Sequence, residues 1–202
     1  HIPIAPGGHH VHVPDKGTDR IHHFTYDSSS GHLLLSSPAA TTVRAGAGPR
    51  HIAYHPRLAL AYVVDELSSQ VTVHRIDPRN GSLVPHSWVP TLPSDFTGDS
   101  TAAEIQLSSD GRLLFASNRG HDSIVTYRVD GDGTPHSPRW SPTTGQQPRF
   151  FALDPTGSVL YAANQASHTI CAFRVTRAGH LEQTGRVIRT GSPVCVVFSH
   201  LI

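Results

Sequence analysis

The stretch LFASNRGHDSIVTYRVD, residues 114–130, holds an apolar run, a polar knot and a second run that alternates. In the second run Ile124 and Thr126 fall on one side, Val125 and Tyr127 on the other. Period-two alternation describes a half-buried strand, so the stretch predicts a strand–loop–strand hairpin. Three more segments share this shape: VHVPDKGTDRIHHFTYD (11–27), AYVVDELSSQVTVHRID (61–77) and YAANQASHTICAFRVT (161–176). The Asp or Asn of the knot falls at Asp15, Asp65, Asn118 and Asn164, at spacings of 50, 53 and 46.

Each hairpin follows a strand that ends in turn chemistry: HIPIAPGG (1–8), HIAYHPRL (51–58), EIQLSSDGR (104–112) and FFALDPTGS (150–158). Gly, Pro and Asp supply the backbone angles such turns need. Behind each hairpin comes another turn, SSSGH, DPRNGS, DGDGT or RAGH, and then a weaker strand such as LVPHSWVP (83–90). No window carries a sustained helical period. Four antiparallel strands repeating every ~45–53 residues is the signature of a propeller blade. The predicted fold is an all-β β-propeller of about four four-stranded blades. The blades run approximately 1–47, 48–101, 102–146 and 147–191, with a lone strand over 192–202. A single strand is not stable by itself, so the chain is expected to be an open arc of a larger ring.

Composition narrows the function. Charged residues are 15% of the chain and apolar residues 37%, which excludes a disordered charged tail or a coiled coil. No run approaches the ~18 apolar residues of a membrane helix, so no membrane partner is expected. The net charge of +1 leaves no broad basic surface, so no nucleic-acid partner is expected either. Cys171 and Cys195 are too few for a disulfide framework, and no signal segment follows His1; a reducing, cytoplasmic location is expected. Lys16 is the single lysine beside 15 arginines, so anion contacts would come from guanidinium forks.

Label the strands of a blade A to D. Antiparallel order puts loops D–A and B–C on one face and loops A–B and C–D on the other. The first face collects the unusual residues. Arg50 and His51 come from GAGPRH, Glu66 from DELSS, and Arg119, His121 and Asp122 from SNRGHDS. Arg149 comes from QQPRF and Gln165 from NQASH, and Glu104 opens its A strand. Converging guanidinium groups suit a phosphate or a carboxylate. Glu66 and Glu104 are placed to orient them or to act as base.

GAGPRHIAYHP…YVVDELSSQVTV resembles a known family, the lactonase-type seven-bladed β-propellers. These are best known as bacterial-type 6-phosphogluconolactonases and fungal carboxy-cis,cis-muconate cyclases. The likeness continues through TLPSDF (91–96), AAEIQLSSDGRLLFASNRGHDSI (102–124), QQPRFFALDPTG (146–157), NQASHTICAFRV (164–175) and GSPVCVVF (191–198). It implies the C-terminal part of a seven-bladed ring. The arginine of the family's G-P-R-H motif falls on Arg50 and the glutamate of its N-E-L motif on Glu66; further family arginines fall on Arg119 and Arg149. Two departures stand out. Asp65 replaces the family's usual Asn, and a family histidine one blade earlier falls just before residue 1, so it is expected to be absent or displaced.

The resemblance and the charged rim together imply hydrolysis of a phosphorylated sugar lactone by activated water, as in the conversion of 6-phosphoglucono-δ-lactone to 6-phosphogluconate in the pentose phosphate pathway. Glu66, His51 and Arg50 are the expected catalytic residues. Arg119, Arg149, Glu104 and Gln165 are expected to bind a small anionic lactone, with no metal or other cofactor. A complete ring is expected to be monomeric, and this chain alone weak or inactive. Alternatives are a muconate-type lactonising enzyme and a non-catalytic propeller scaffold that binds a partner.

Other motifs are read as structural. His9, His10 and His12 beside His22 and His23 lack a spaced Cys or Glu to complete a zinc set. Ser100 in GDSTA lacks the strand–elbow–helix context of a nucleophile, and DGDGT lacks the later ligands of a calcium loop. GAGPR is not a phosphate-binding glycine loop. Cys171 and Cys195 are expected to be buried in strands, and Trp88 and Trp140 to pack on outer strands.

Overall fold

The computed structural model describes residues 1–199. Its strands form four antiparallel sheets. The first contains β1 (His10–Asp15), β2 (Arg20–Asp27) and β3 (His32–Thr42). The second contains β4 (Pro49–Tyr54), β5 (Leu60–Asp65), β6 (Gln70–Ile76) and β7 (Leu83–Pro90). The third runs β8 (Thr101–Leu107), β9 (Leu113–Arg119), β10 (Ser123–Val129) and β11 (Pro135–Pro142). The fourth runs β12 (Pro148–Leu153), β13 (Val159–Asn164), β14 (Thr169–Val175) and β15 (Leu181–Arg189). Sequential neighbours pair in every sheet, and the sheets stay separate blades of an open arc, with no closed barrel.

The blades pack face to face, and alternation along one strand decides which seam each side chain enters. In β5, Tyr62 and Val64 point to the third sheet, where they meet Ile105, Leu114, Val125 and Tyr127. Ala61 and Val63 point the other way, to Ile21, Ile52 and Leu83. Phe115, Phe151, Leu160 and Phe173 fill the seam between the third and fourth sheets. A fully buried side chain of this size contributes roughly 1.5–3 kcal/mol, so each seam is a core in its own right. The strands β5 and β10 are therefore buried on both faces, whereas alternation alone predicts one.

Two end segments differ from expectation. HIPIAPGG makes only an isolated bridge, Ile4 to Val11, so the first sheet has three strands. Pro3 and Pro6 have no N–H to give a ladder, and Gly7 and Gly8 turn away at φ 98° and 78°. The lone strand expected over 192–202 is not a strand through residue 199, and residues 200–202 lie outside the described residues. A strand exists by its ladder, and no neighbour pairs with this segment among the described residues. Cys195 is accordingly exposed rather than buried; Cys171 is buried in β14 and both thiols are free.

Candidate functional site

Along the inner edge of the arc the A strand β8 contacts β4 on one side and β12 on the other. Each has a β-bulge near its N-terminal end. In β4 Pro49 pairs with Asp65 and His51 with Val64, so Arg50 is the extra residue. In β12 Pro148 pairs with Asn164 and Phe150 with Ala163, so Arg149 is extra in the same way. In β8 the register breaks between Ala102 and Ile105, across Ala103 and Glu104. A bulge takes a residue out of the ladder and re-aims its side chain. The D–A loops meet the B–C knots here. Glu66 N–H donates to Gly48 O at 2.7 Å, and Gly48 has φ +67°. A Cβ on Gly48 would sit 2.6 Å from Leu67 Cγ, so only glycine allows this approach.

The knots supply the opposing side chains. The residue after the knot Asp or Asn is Lys16, Glu66, Arg119 and Gln165 in the four blades. Glu66 is a hub for three of the cations. Its Oε2 takes Arg50 Nε at 3.0 Å; its Oε1 takes Arg119 Nη2 and Lys16 Nζ, both at 3.0 Å. Burial works against the ionised form of Glu66, but the Lys16 and Arg119 contacts outweigh it and hold the carboxyl below its ordinary value.

A second chain leads away from Arg50. Its Nη1 donates to Ala103 O at 2.8 Å and to His51 Nε2 at 2.9 Å. Arginine can only donate, so Nε2 is the acceptor and the His51 proton is on Nδ1. That Nδ1–H donates to Glu104 Oε2 at 2.9 Å. Glu104 is held by backbone as well: Ile105 N–H donates to Oε1 at 3.1 Å, and Glu104 N–H donates to Ser117 Oγ at 3.0 Å. Burial pushes Glu104 up to about 8; burial and then Arg50 push His51 down to about 3. Burial thus disfavours the charged form of both partners, and the imidazole is neutral near neutral pH. Burial also lowers Arg50, and Glu66 partly restores it.

Of the expected residues, Arg50, His51, Glu66, Glu104 and Arg119 form one connected network. Arg149 is half-buried and acts on Arg50 and His51 through its charge; among the described residues it has no ion-pair partner. Gln165 stands at the equivalent knot position, and its side chain makes no hydrogen bond among the described residues. Two contacts were not anticipated. Lys16 completes the hub, and the His1 ring stacks on His51 at 4.4 Å while its Nδ1 accepts from Ile52 N–H. Lys16 was findable, because it occupies the same repeat position as Glu66 and Arg119.

The rival motifs have structural employment. His12 is tied at both ring nitrogens, to Tyr54 Oη at 2.7 Å and Gly81 O at 2.8 Å, and lies edge-on to His23. Ser100 Oγ donates to Arg119 O, and DGDGT is a C–D turn closed by Asp130 N–H to Thr134 O. His121 bonds Ser123 Oγ, and Asp122 accepts from Gly120 N–H and Gln147 N–H; both brace loops.

The family described as lactonase, 7-bladed β-propeller, matches residues 1–198. The 6-phosphogluconolactonase of Enterobacter sp. (strain 638) is 37% identical over 195 residues, which is 96% of this chain and 59% of that protein. A crystal structure of a Lactobacillus plantarum protein superposes with a TM-score of 0.91 at 30% identity, covering 96% of this chain and 56% of that one. The periplasmic gluconolactonase of Pseudomonas aeruginosa gives 0.88 at 31% identity, covering 95% and 54%. The chain thus spans 59% of the length of the curated relative it matches. With its repeat, its open arc of blades and its match across nearly every residue, the chain belongs to the lactonase family of seven-bladed β-propellers.

Proposed function

We propose that the whole protein hydrolyses a phosphorylated sugar δ-lactone, 6-phosphoglucono-δ-lactone to 6-phosphogluconate, as a step of the pentose phosphate pathway. The observation that carries this reading is the Glu66 hub with Arg149 beside it: two guanidinium groups fixed by one carboxylate and a third left open for an anion. The activity named for the Enterobacter relative supports it. The two unpaired cysteines favour the cytoplasm.

A δ-lactone is an activated ester, so positioning and oxyanion stabilisation are sufficient. Arg149 takes the substrate's anionic group. Arg50 turns from His51 toward the carbonyl oxygen, which frees the Nε2 lone pair. Burial is the main reason His51 is a weak base and Arg50 the second; with Arg50 turned away and the Nε2 lone pair free, His51 takes a proton from water while Glu104 holds the Nδ1–H. The water oxygen bonds to the lactone carbonyl carbon, and the guanidinium groups stabilise the oxyanion. The ring C–O bond then breaks, and the leaving alkoxide receives the proton from His51. Glu66 acts as a positioning residue.

The periplasmic gluconolactonase neighbour favours a second reading, in which the lactone is unphosphorylated. One assay separates the two. In the full-length protein Arg50→Ala is expected to lower kcat/KM by about 100-fold or more on either lactone. Arg149→Ala is expected to raise KM about 10-fold or more for the phosphorylated lactone only. Equal effects of Arg149→Ala on both lactones support the second reading, and unchanged kinetics in Arg50→Ala remove lactone hydrolysis from this rim.

A further inference from the structure

The opposite rim, built from A–B and C–D loops, has its own cleft of about 540 Å³. Arginines from three successive blades line it. Arg57 follows β4, Arg112 precedes β9, Arg128 lies on β10, and Arg177 follows β14. Asp130 is the one carboxylate in the lining, and His136 already holds it at 3.1 Å. Arg112 reaches Asp110 only at 3.9 Å, and Arg57 donates to a backbone carbonyl, Asp110 O, which carries no charge. Among the described residues Arg128 and Arg177 have no ion-pair partner.

On the outer surface Arg79 sits on Asp77 at 2.7 Å and Arg174 faces Glu182 at 3.8 Å, but those arginines stand singly, whereas here four share one concavity. Four cations share one concavity with a single lining carboxylate, Asp130, and with Asp110 beside Arg57 and Arg112, so positive charge is left in excess. The loop carrying Arg57 is also fixed in place. The buried His55 ring accepts Arg57 N–H at 3.1 Å and Leu58 N–H at 3.0 Å through Nδ1. The Gly111 backbone sits against the other ring edge; a Cβ there would fall 2.7 Å from Nε2. Guanidinium forks match the oxygens of phosphate and carboxylate groups.

We propose that this cleft is a second, non-catalytic site for a compact polyanion, a small molecule bearing two or more phosphate or carboxylate groups. Its occupant meets Arg57, Arg112, Arg128 and Arg177 at once and offsets their repulsion. A small molecule is favoured over a polymer because the basic residues are gathered in one cleft while the chain as a whole has a net charge of only +1.

The test titrates tripolyphosphate and, separately, citrate into the full-length protein by calorimetry at low and moderate salt. Saturable binding that weakens with salt is expected from at least one of them. Arg128→Ser with Arg177→Ser should weaken that probe about 10-fold or more, without moving the thermal midpoint or lactone turnover. Arg149→Ala, on the other rim, should leave it unchanged. Absence of saturable binding by both probes at millimolar concentration, or undiminished binding in the double variant, overturns the site. Tighter binding of an oligoglutamate or an oligonucleotide than of either probe overturns the small-molecule assignment. These readouts are independent of whether the first rim hydrolyses lactones.

Discussion

The seam between the second and third sheets and the seam between the first and second are built on the same repeat positions and end differently. In the former, Asn118 Nδ2 and Trp140 Nε1 both donate to Thr91 O, each at 2.8 Å. The equivalent positions in the latter are Asp65 and Trp88. Asp65 accepts from Thr72 Oγ1, but a carboxylate has no hydrogen to give the matching carbonyl. Trp88 is 60% exposed, and a cleft of about 280 Å³ opens among Val43, Asp65, Thr72 and Trp88. In both seams one side-chain Oδ1 is bare, and the donors to the carbonyl are present in one and absent from the other. Trp140 has a carbonyl to donate to, and Trp88 makes no side-chain hydrogen bond among the described residues.

The strongest way to break this comparison is to copy the defect into the intact seam. Asn118→Asp should cost about 3–5 kcal/mol at pH 7.5, because it removes a donor and buries a charge against Thr91 O. Urea unfolding measures the loss, and recovery at pH 5 would identify the charge as its cause.

Repairing the other seam should come next in size. Burial raises Asp65 to about 6 from 3.8. The folded value lies above the unfolded one, so the associated stability is full below pH 3.8 and lost as pH rises through about 6. Asp65→Asn should therefore stabilise the protein by up to about 3 kcal/mol at pH 8, with the gain shrinking toward pH 4. The buried His12 and His74 run the opposite way. Burial lowers each from 6.5 to about 4, so stability falls as pH drops across that window. Variant and parent must be compared at each pH for the Asp65 contribution to emerge. A gain that is flat across pH would separate the effect from Asp65 ionisation.

The smallest expected effect sharpens the comparison at the ring itself. Trp140→Phe removes the Nε1–H donor and should cost about 1 kcal/mol, whereas Trp88→Phe should stay within about 0.5 kcal/mol. Equal costs would show that Trp88 is fastened too.

The repeat, the blade order and the choice of rim were legible because they rest on alternation and on turn residues, which leave marks in any sequence. The Glu66 hub was half legible. Arg50, Glu66 and Arg119 were expected together, while Lys16 passed unread although it holds the same slot in its knot. The bulges at Arg50 and Arg149 were not legible, because one residue leaving a ladder changes neither composition nor period. Trp88 was expected to pack like Trp140. It is exposed instead, on a cleft it shares with Asp65, twenty-three positions away in sequence. The unstranded 193–199 segment shows a further limit: β-propensity needs a partner before it becomes a strand.

The bulges carry an evolutionary consequence. Arg50, Ala103 and Arg149 occupy matching places on three inner strands, off the ladder, so the residue chosen there is uncoupled from pairing. Single-codon changes at such places can alter the chemistry lining the axis while the scaffold keeps its registration. Selectivity in a molecule of this kind can drift between related anions one blade at a time, without a detour through misfolded intermediates.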